Sequence, residues 1–144
     1  MKKHHTNSYS KMFQSTLAIA LLLGLAYQMV STEKNSPGEL FMRNVPMEKV
    51  EKCAEELGLI KEEVKMYLGT GNRVPVEKEL CLHKCAATSV GAIKNGKMNL
   101  DYIKANFPPE LENDMDKIVG CFEKIDSITV CQDMLQVQKC LKKN

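Results

Sequence analysis

Apolar side chains recur along this chain at intervals of three and four residues, the spacing of one face of a helix. Met47, Val50, Ala54 and Leu57 share such a face, and Glu48 and Lys52 pair four apart on the other side. Asn44 is read as the cap, Pro46 falls in the first turn, and Gly58 ends the run. A second helix is expected from about Ile60, with Ile60, Val64, Tyr67 and Leu68 aligned, broken by GTGN at 69–72. The third opens at Pro75, carries CLHKC at 81–85 and runs to about Val90 or Ile93, before the turn signal KNGK at 94–97. Leu100, Ile103 and Phe107 predict a short fourth helix, stopped by Pro108 and Pro109. Those prolines and Glu110 start a fifth, which aligns Leu111, Met115, Ile118, Phe122 and Ile125. A last helix over about 129–141 aligns Val130, Met134, Val137 and Leu141. No segment alternates β-branched residues with a period of two, and no internal repeat occurs. The pattern predicts an all-α domain of about six short helices.

The first 31 residues do not follow this pattern. Lys2, Lys3 and Lys11 precede LAIALLLGLA at 17–26, an unbroken run of small or apolar residues. The run is too short for a bilayer core, which takes about 20 residues. It suits the apolar region of a secretory signal. Gly24-x-Ala26 and Val30-x-Thr32 offer small residues for cleavage, so a signal peptide over 1–31 is expected, cut after about 26–32. One domain over 32–144 follows, and STEKNSPGEL at 31–40 is expected to be a loosely packed arm. The leader holds three of the 20 basic residues and none of the 18 acidic ones, so the remainder is formally −1. That balance leaves no basic stripe for nucleic acid and no electrostatic pull toward a membrane.

All six cysteines lie beyond the leader: Cys53, Cys81, Cys85, Cys121, Cys131 and Cys140. An even number in a secreted chain reads as three disulfides. Cys81 and Cys85 point the same way one turn apart, so each needs a partner on another element. Cys131 and Cys140 are separated by about 13 Å along one helix and cannot pair either. Of the 15 connectivities six cysteines allow, ten survive these two exclusions. A zinc site wants four ligands. His83 is the one histidine beyond the leader, and it lies two residues from each neighbouring cysteine, so no metal and no cofactor is expected. Secreted phospholipases of the A2 type follow their helix histidine with an aspartate, whereas His83 is followed by Lys84. A Ser–His–Asp arrangement would need the same histidine, and a thioredoxin-like site needs C-x-x-C rather than C-x-x-x-C. The chain is therefore not read as an enzyme.

Written out, the cysteines run Cys53-x27-Cys81-x3-Cys85-x35-Cys121-x9-Cys131-x8-Cys140. This spacing, with the leader and the helical pattern, resembles the six-cysteine odorant-binding proteins of insects, the general-odorant and pheromone-binding family. The three-residue gap between the second and third cysteines and the eight-residue gap between the fifth and sixth are that family's hallmark. The resemblance implies bridges Cys53–Cys85, Cys81–Cys131 and Cys121–Cys140, interlocking helices around a central apolar cavity. It places a pocket among the third to sixth helices and the first. On that placement the wall comprises Ala87, Val90, Met98, Ile103, Phe107, Met115, Ile118, Phe122, Met134 and Val137. Thr88 and Tyr102 are the candidates to hydrogen-bond an oxygenated ligand.

Six methionines beyond the leader (Met42, Met47, Met66, Met98, Met115 and Met134) suit a pocket that adapts its shape. The implied function is an extracellular carrier of small hydrophobic or volatile ligands, odorants or pheromones, through an aqueous secretion. A membrane chemoreceptor is the further partner, and a monomer or weak homodimer the expected state. The alternatives are a carrier or signalling protein in non-olfactory tissue, and a secreted lipid hydrolase, for which no activated nucleophile is found. Only Leu141 to Asn144 follow Cys140, too short a tail to fill a cavity. His83 is the one side chain beyond the leader with an ordinary titration between pH 5 and 8, which makes it the candidate pH switch.

Overall fold

The computed structural model describes residues 37–69 and 74–142. The expected leader, the start of the arm at 31–36 and most of the GTGN break lie outside the described residues. Helix α1 spans Pro37–Arg43, α2 Met47–Glu56, α3 Lys61–Leu68 and α4 Glu77–Ser89. A short hairpin follows, β1 Ile93–Lys94 and β2 Lys97–Met98. Then come α5 Leu100–Ala105, α6 Met115–Phe122 and α7 Met134–Leu141, with 3-10 turns at Pro109–Asp114 and Cys131–Asp133.

Helix α1 corrects the expectation of a loose arm. Pro37 supplies a preset φ at the first helical position, and Leu40 is buried while Phe41 packs on the core. Asn44 does not cap α2. Pro46 precedes that helix, and the Asn44 amide instead donates to the Asn106 carbonyl at 3.2 Å. Gly58 stops α2 with φ 63°, letting Leu59 N–H reach back to the Ala54 carbonyl at 2.9 Å. Gly91 does the same for α4 with φ 86°, through Ala92 N–H on the Ala87 carbonyl at 2.9 Å. That turn ends α4 at Ser89, short of the expected Val90 or Ile93.

KNGK is a hairpin rather than a simple turn. Asn95 and Gly96 both have positive φ, 52° and 69°, as a two-residue hairpin turn demands. Ile93 then pairs with Met98 in antiparallel register. Ile128 N–H donates to the Gly96 carbonyl at 2.7 Å and fastens the hairpin to the segment after α6. The fifth and last expected helices are each split into a 3-10 turn and an α-helix. Pro109 opens the first turn. In the second, the Asp133 carboxylate accepts Thr129 N–H at 2.8 Å and Val130 N–H at 2.9 Å, which turns the chain into α7.

Two apolar clusters form. The larger joins Leu40 of α1, Leu80 of α4, Ile93 of the hairpin, Ile103 of α5, Ile118 and Phe122 of α6, and Met134 and Val137 of α7. The smaller joins Val50, Cys53 and Ala54 of α2 with Tyr67 of α3 and Leu82 and Ala86 of α4. Helix α4 thus buries side chains on both of its sides and serves as the partition between the clusters. Leu82 is the larger of its two fully buried side chains, the other being Ala86. Leu82→Ala is expected to lower unfolding free energy by about 2–5 kcal/mol. Val74→Ala, at a position 86% exposed, should shift it by less than about 0.5 kcal/mol, both read by urea denaturation.

Candidate functional site

Three disulfides set the frame of the site. Cys53–Cys85 joins α2 to α4, Cys81–Cys131 joins α4 to the turn before α7, and Cys121–Cys140 joins α6 to α7. These pairs coincide with those the resemblance implies. Their Cα atoms are 5.8, 4.7 and 5.6 Å apart, ordinary separations for a bridge. Cys81 and Cys85 lie a turn apart on α4, yet one bridge leaves toward α7 and the other toward α2. Closing loops of 32, 50 and 19 residues is worth roughly 3–4 kcal/mol each in the chain-entropy model.

The larger cluster brings together most of the side chains expected to line a pocket. Ile103, Ile118, Phe122, Met134 and Val137 are buried in it, and Ala87, Met98, Tyr102 and Phe107 pack half-buried against it. The arrangement is apolar on nearly every side, with the Tyr102 phenol as its polar group among these residues. Thr88, Val90 and Met115 stand apart. Thr88 is exposed, and its hydroxyl donates to the Lys84 carbonyl at 2.8 Å. Val90 is half-buried at the end of α4, and Met115 half-buried at the start of α6. One residue step turns a helix by about 100°, which separates Thr88 from its neighbour Ala87.

Helix α1 contributes what sequence reasoning missed. The Phe41 ring meets Phe107 edge-on at 5.2 Å and 86°, and Phe122 at 6.2 Å and 67°. These are favourable aromatic geometries. The signal was present, because Pro37, Leu40 and Phe41 fall at i, i+3 and i+4. The helix is fastened beside the cluster by the exposed Arg43–Glu110 ion pair and by the Asn44–Asn106 hydrogen bond.

His83 is half-buried on α4. Its Nε2 is 3.0 Å from the Tyr67 carbonyl, at the end of α3 and next to the smaller cluster. The ring is therefore in contact with the end of α3. Chemically, the larger cluster is an apolar environment assembled from packed aliphatic, aromatic and thioether side chains.

The family model of the PBP/GOBP family matches residues 42–144. The chain belongs to that family, the odorant- and pheromone-binding proteins of insects, which are binding proteins for small hydrophobic ligands rather than enzymes. No curated protein and no solved structure matches the chain. The matched span begins at Met42, so Phe41 and most of α1 precede it.

The fastening of α1 is expected to depend on pH. The hydrogen bond from Arg43 holds the Glu110 carboxyl below its ordinary value of 4.5. A depressed carboxylate contributes stability above its unfolded value and loses it as pH falls through the lower folded one. Hydrogen-exchange protection of α1 should therefore hold at neutral pH and fall away below about 4.5. Glu110→Gln should lower α1 protection at neutral pH and flatten this dependence. An unchanged pH profile in that variant would show that the pair does not hold α1.

Proposed function

We propose that this chain is a secreted carrier that takes a small hydrophobic molecule, an odorant, pheromone or similar compound, into its larger apolar cluster and moves it through an aqueous secretion. The observation that carries this reading is the convergence of Met98, Tyr102, Phe107, Ile118, Phe122 and Met134, from four separate elements and the loop after α5, inside one cross-linked shell. A core needs only volume and apolarity. Flexible methionines beside aromatic rings also let the wall re-form around ligands of different shape. Ala87, Ile103 and Val137 complete the proposed wall, and Tyr102 offers the hydroxyl for an oxygenated ligand.

Burying an alkyl chain yields about 0.8 kcal/mol per CH₂. A dozen carbons thus supply about 10 kcal/mol, association and ordering costs offset a part of it, and micromolar binding, about 8 kcal/mol, is the strength expected. Secretion is supported by the leader pattern and by the pairing of every cysteine among the described residues. The proposed layout is a signal over 1–31, cut after about 26–32, and one carrier domain over 32–144. A membrane chemoreceptor that receives the ligand is the proposed downstream partner, with the carrier acting as a monomer or weak homodimer.

One experiment tests both parts. Protein collected from the medium of cells expressing the whole chain should begin between residues 27 and 33. It should bind the neutral fluorophore N-phenyl-1-naphthylamine, and long-chain alcohols, aldehydes or terpenoids should displace it at about micromolar concentration. Phe107→Ala should weaken that binding by about tenfold, the loss expected when an aromatic wall contact is removed. Folded, oxidised protein from which no hydrophobic ligand displaces the probe would overturn the reading.

A further inference from the structure

Where α4 meets α2 and the turn before α7 lies an open groove of about 570 Å³, within the range of small-molecule sites. Its floor is the Cys53–Cys85 bridge, Leu57, and the half-buried Cys81 and Cys131. Sulfur and leucine make this floor apolar. Its rim carries Lys49 and Lys52 from α2 and Lys84 from α4. Lys49 and Lys52 are three apart and share a helix face. Glu56 is the one carboxylate in the lining, against three lysines. This reverses the balance of the chain beyond the leader, which is formally −1. Asp133 attracts Lys84 from outside the lining.

Two hydroxyls sharpen the specificity. Thr88 and Ser89 also line the groove, but their protons are directed to the Lys84 and Ala86 carbonyls, each at 2.8 Å. They offer lone pairs, not donors. The lysine ammoniums are then the groups in this lining that can bind an anionic head, each with three donors and no acceptor.

We infer that this groove is a second binding site, separate from the interior, for a soluble organic anion with a short apolar stem. The head sits among Lys49, Lys52 and Lys84, and the stem lies on the disulfides and Leu57. A neutral ligand gains nothing at this rim and goes to the interior, so the two sites sort ligands by charge. Because Lys49 and Lys84 are on different helices, the groove exists only where the Cys53–Cys85 bridge draws α2 against α4.

The test is a titration of isotopically labelled protein with octanoate, and separately with octanol, followed by backbone amide shifts at neutral pH. Octanoate should move the amides of Lys52, Lys84, Cys85 and Thr88, and octanol should not. Combined Lys49→Gln, Lys52→Gln and Lys84→Gln should weaken the octanoate response at these amides by about tenfold or more. The response to octanol at Ile103 and Phe122 should be unchanged in that variant. Glu56→Gln should tighten octanoate about two- to fivefold by removing the repelling charge, a gain that misfolding does not produce. Equal movement of the groove amides by octanol, octanoate shifts confined to the interior, or full binding by the triple variant would each overturn the inference. If octanol moves no interior amide, the carrier reading fails, while the groove is still judged by its own amides.

Discussion

Cys81 and Cys85 stand on the same side of α4, one turn apart, and a helix cannot join them to each other. Their bridges must leave for different elements, and they do, one toward α2 and one toward the turn before α7. Helix α4 therefore becomes a partition held from both ends of the chain. Apolar side chains from α1, the hairpin, α5, α6 and α7 gather on one side, and those of α2 and α3 on the other. The third bridge locks α6 to α7 across the larger cluster. Moving either α4 cysteine by one position would turn it by about 100° and detach one half of the domain from the partition.

This frame explains how short helices can hold a common shell. Helices of six to thirteen residues have little stability of their own in water. They persist through packing, and packing is what a carrier must loosen to admit a guest. The disulfides act on the unfolded chain, so they stabilise the shell without requiring its interior to be rigid. Phe41 and the exposed Arg43–Glu110 pair fit the same logic. Surface pairs of this kind are weak, so α1 closes over the aromatic rings through a contact that is easily exchanged.

Much of the fold is legible in the sequence because helical periodicity and cysteine spacing are local or directly countable. Met47 to Leu57 and Met134 to Leu141 reveal their faces without knowledge of the rest. Other features depend on contacts that a local pattern does not display. Helix α1 is one turn or two long and sits close to the leader, so Leu40 and Phe41 read as part of an arm. The strands around Asn95-Gly96 have two residues each, too few to show alternation, although the dipeptide itself is a strong hairpin signal. Thr88 follows Ala87 directly in sequence, but a helical step of about 100° turns its hydroxyl to the exposed side. The lysine groove was beyond reach, since Lys49 and Lys84 belong to separate helices.

The central claim is that the paired bridges of α4 keep the shell in a shape that binds. The most direct test is to remove one of them, with Cys81→Ser and Cys131→Ser together, and to measure unfolding free energy and hydrophobic-probe affinity on the same sample. Loss of a native bridge should cost about 2–5 kcal/mol, and probe affinity should fall under conditions where the variant is still folded. A folded variant with native probe affinity would contradict the account, because the interior would then keep its binding shape without the clamp.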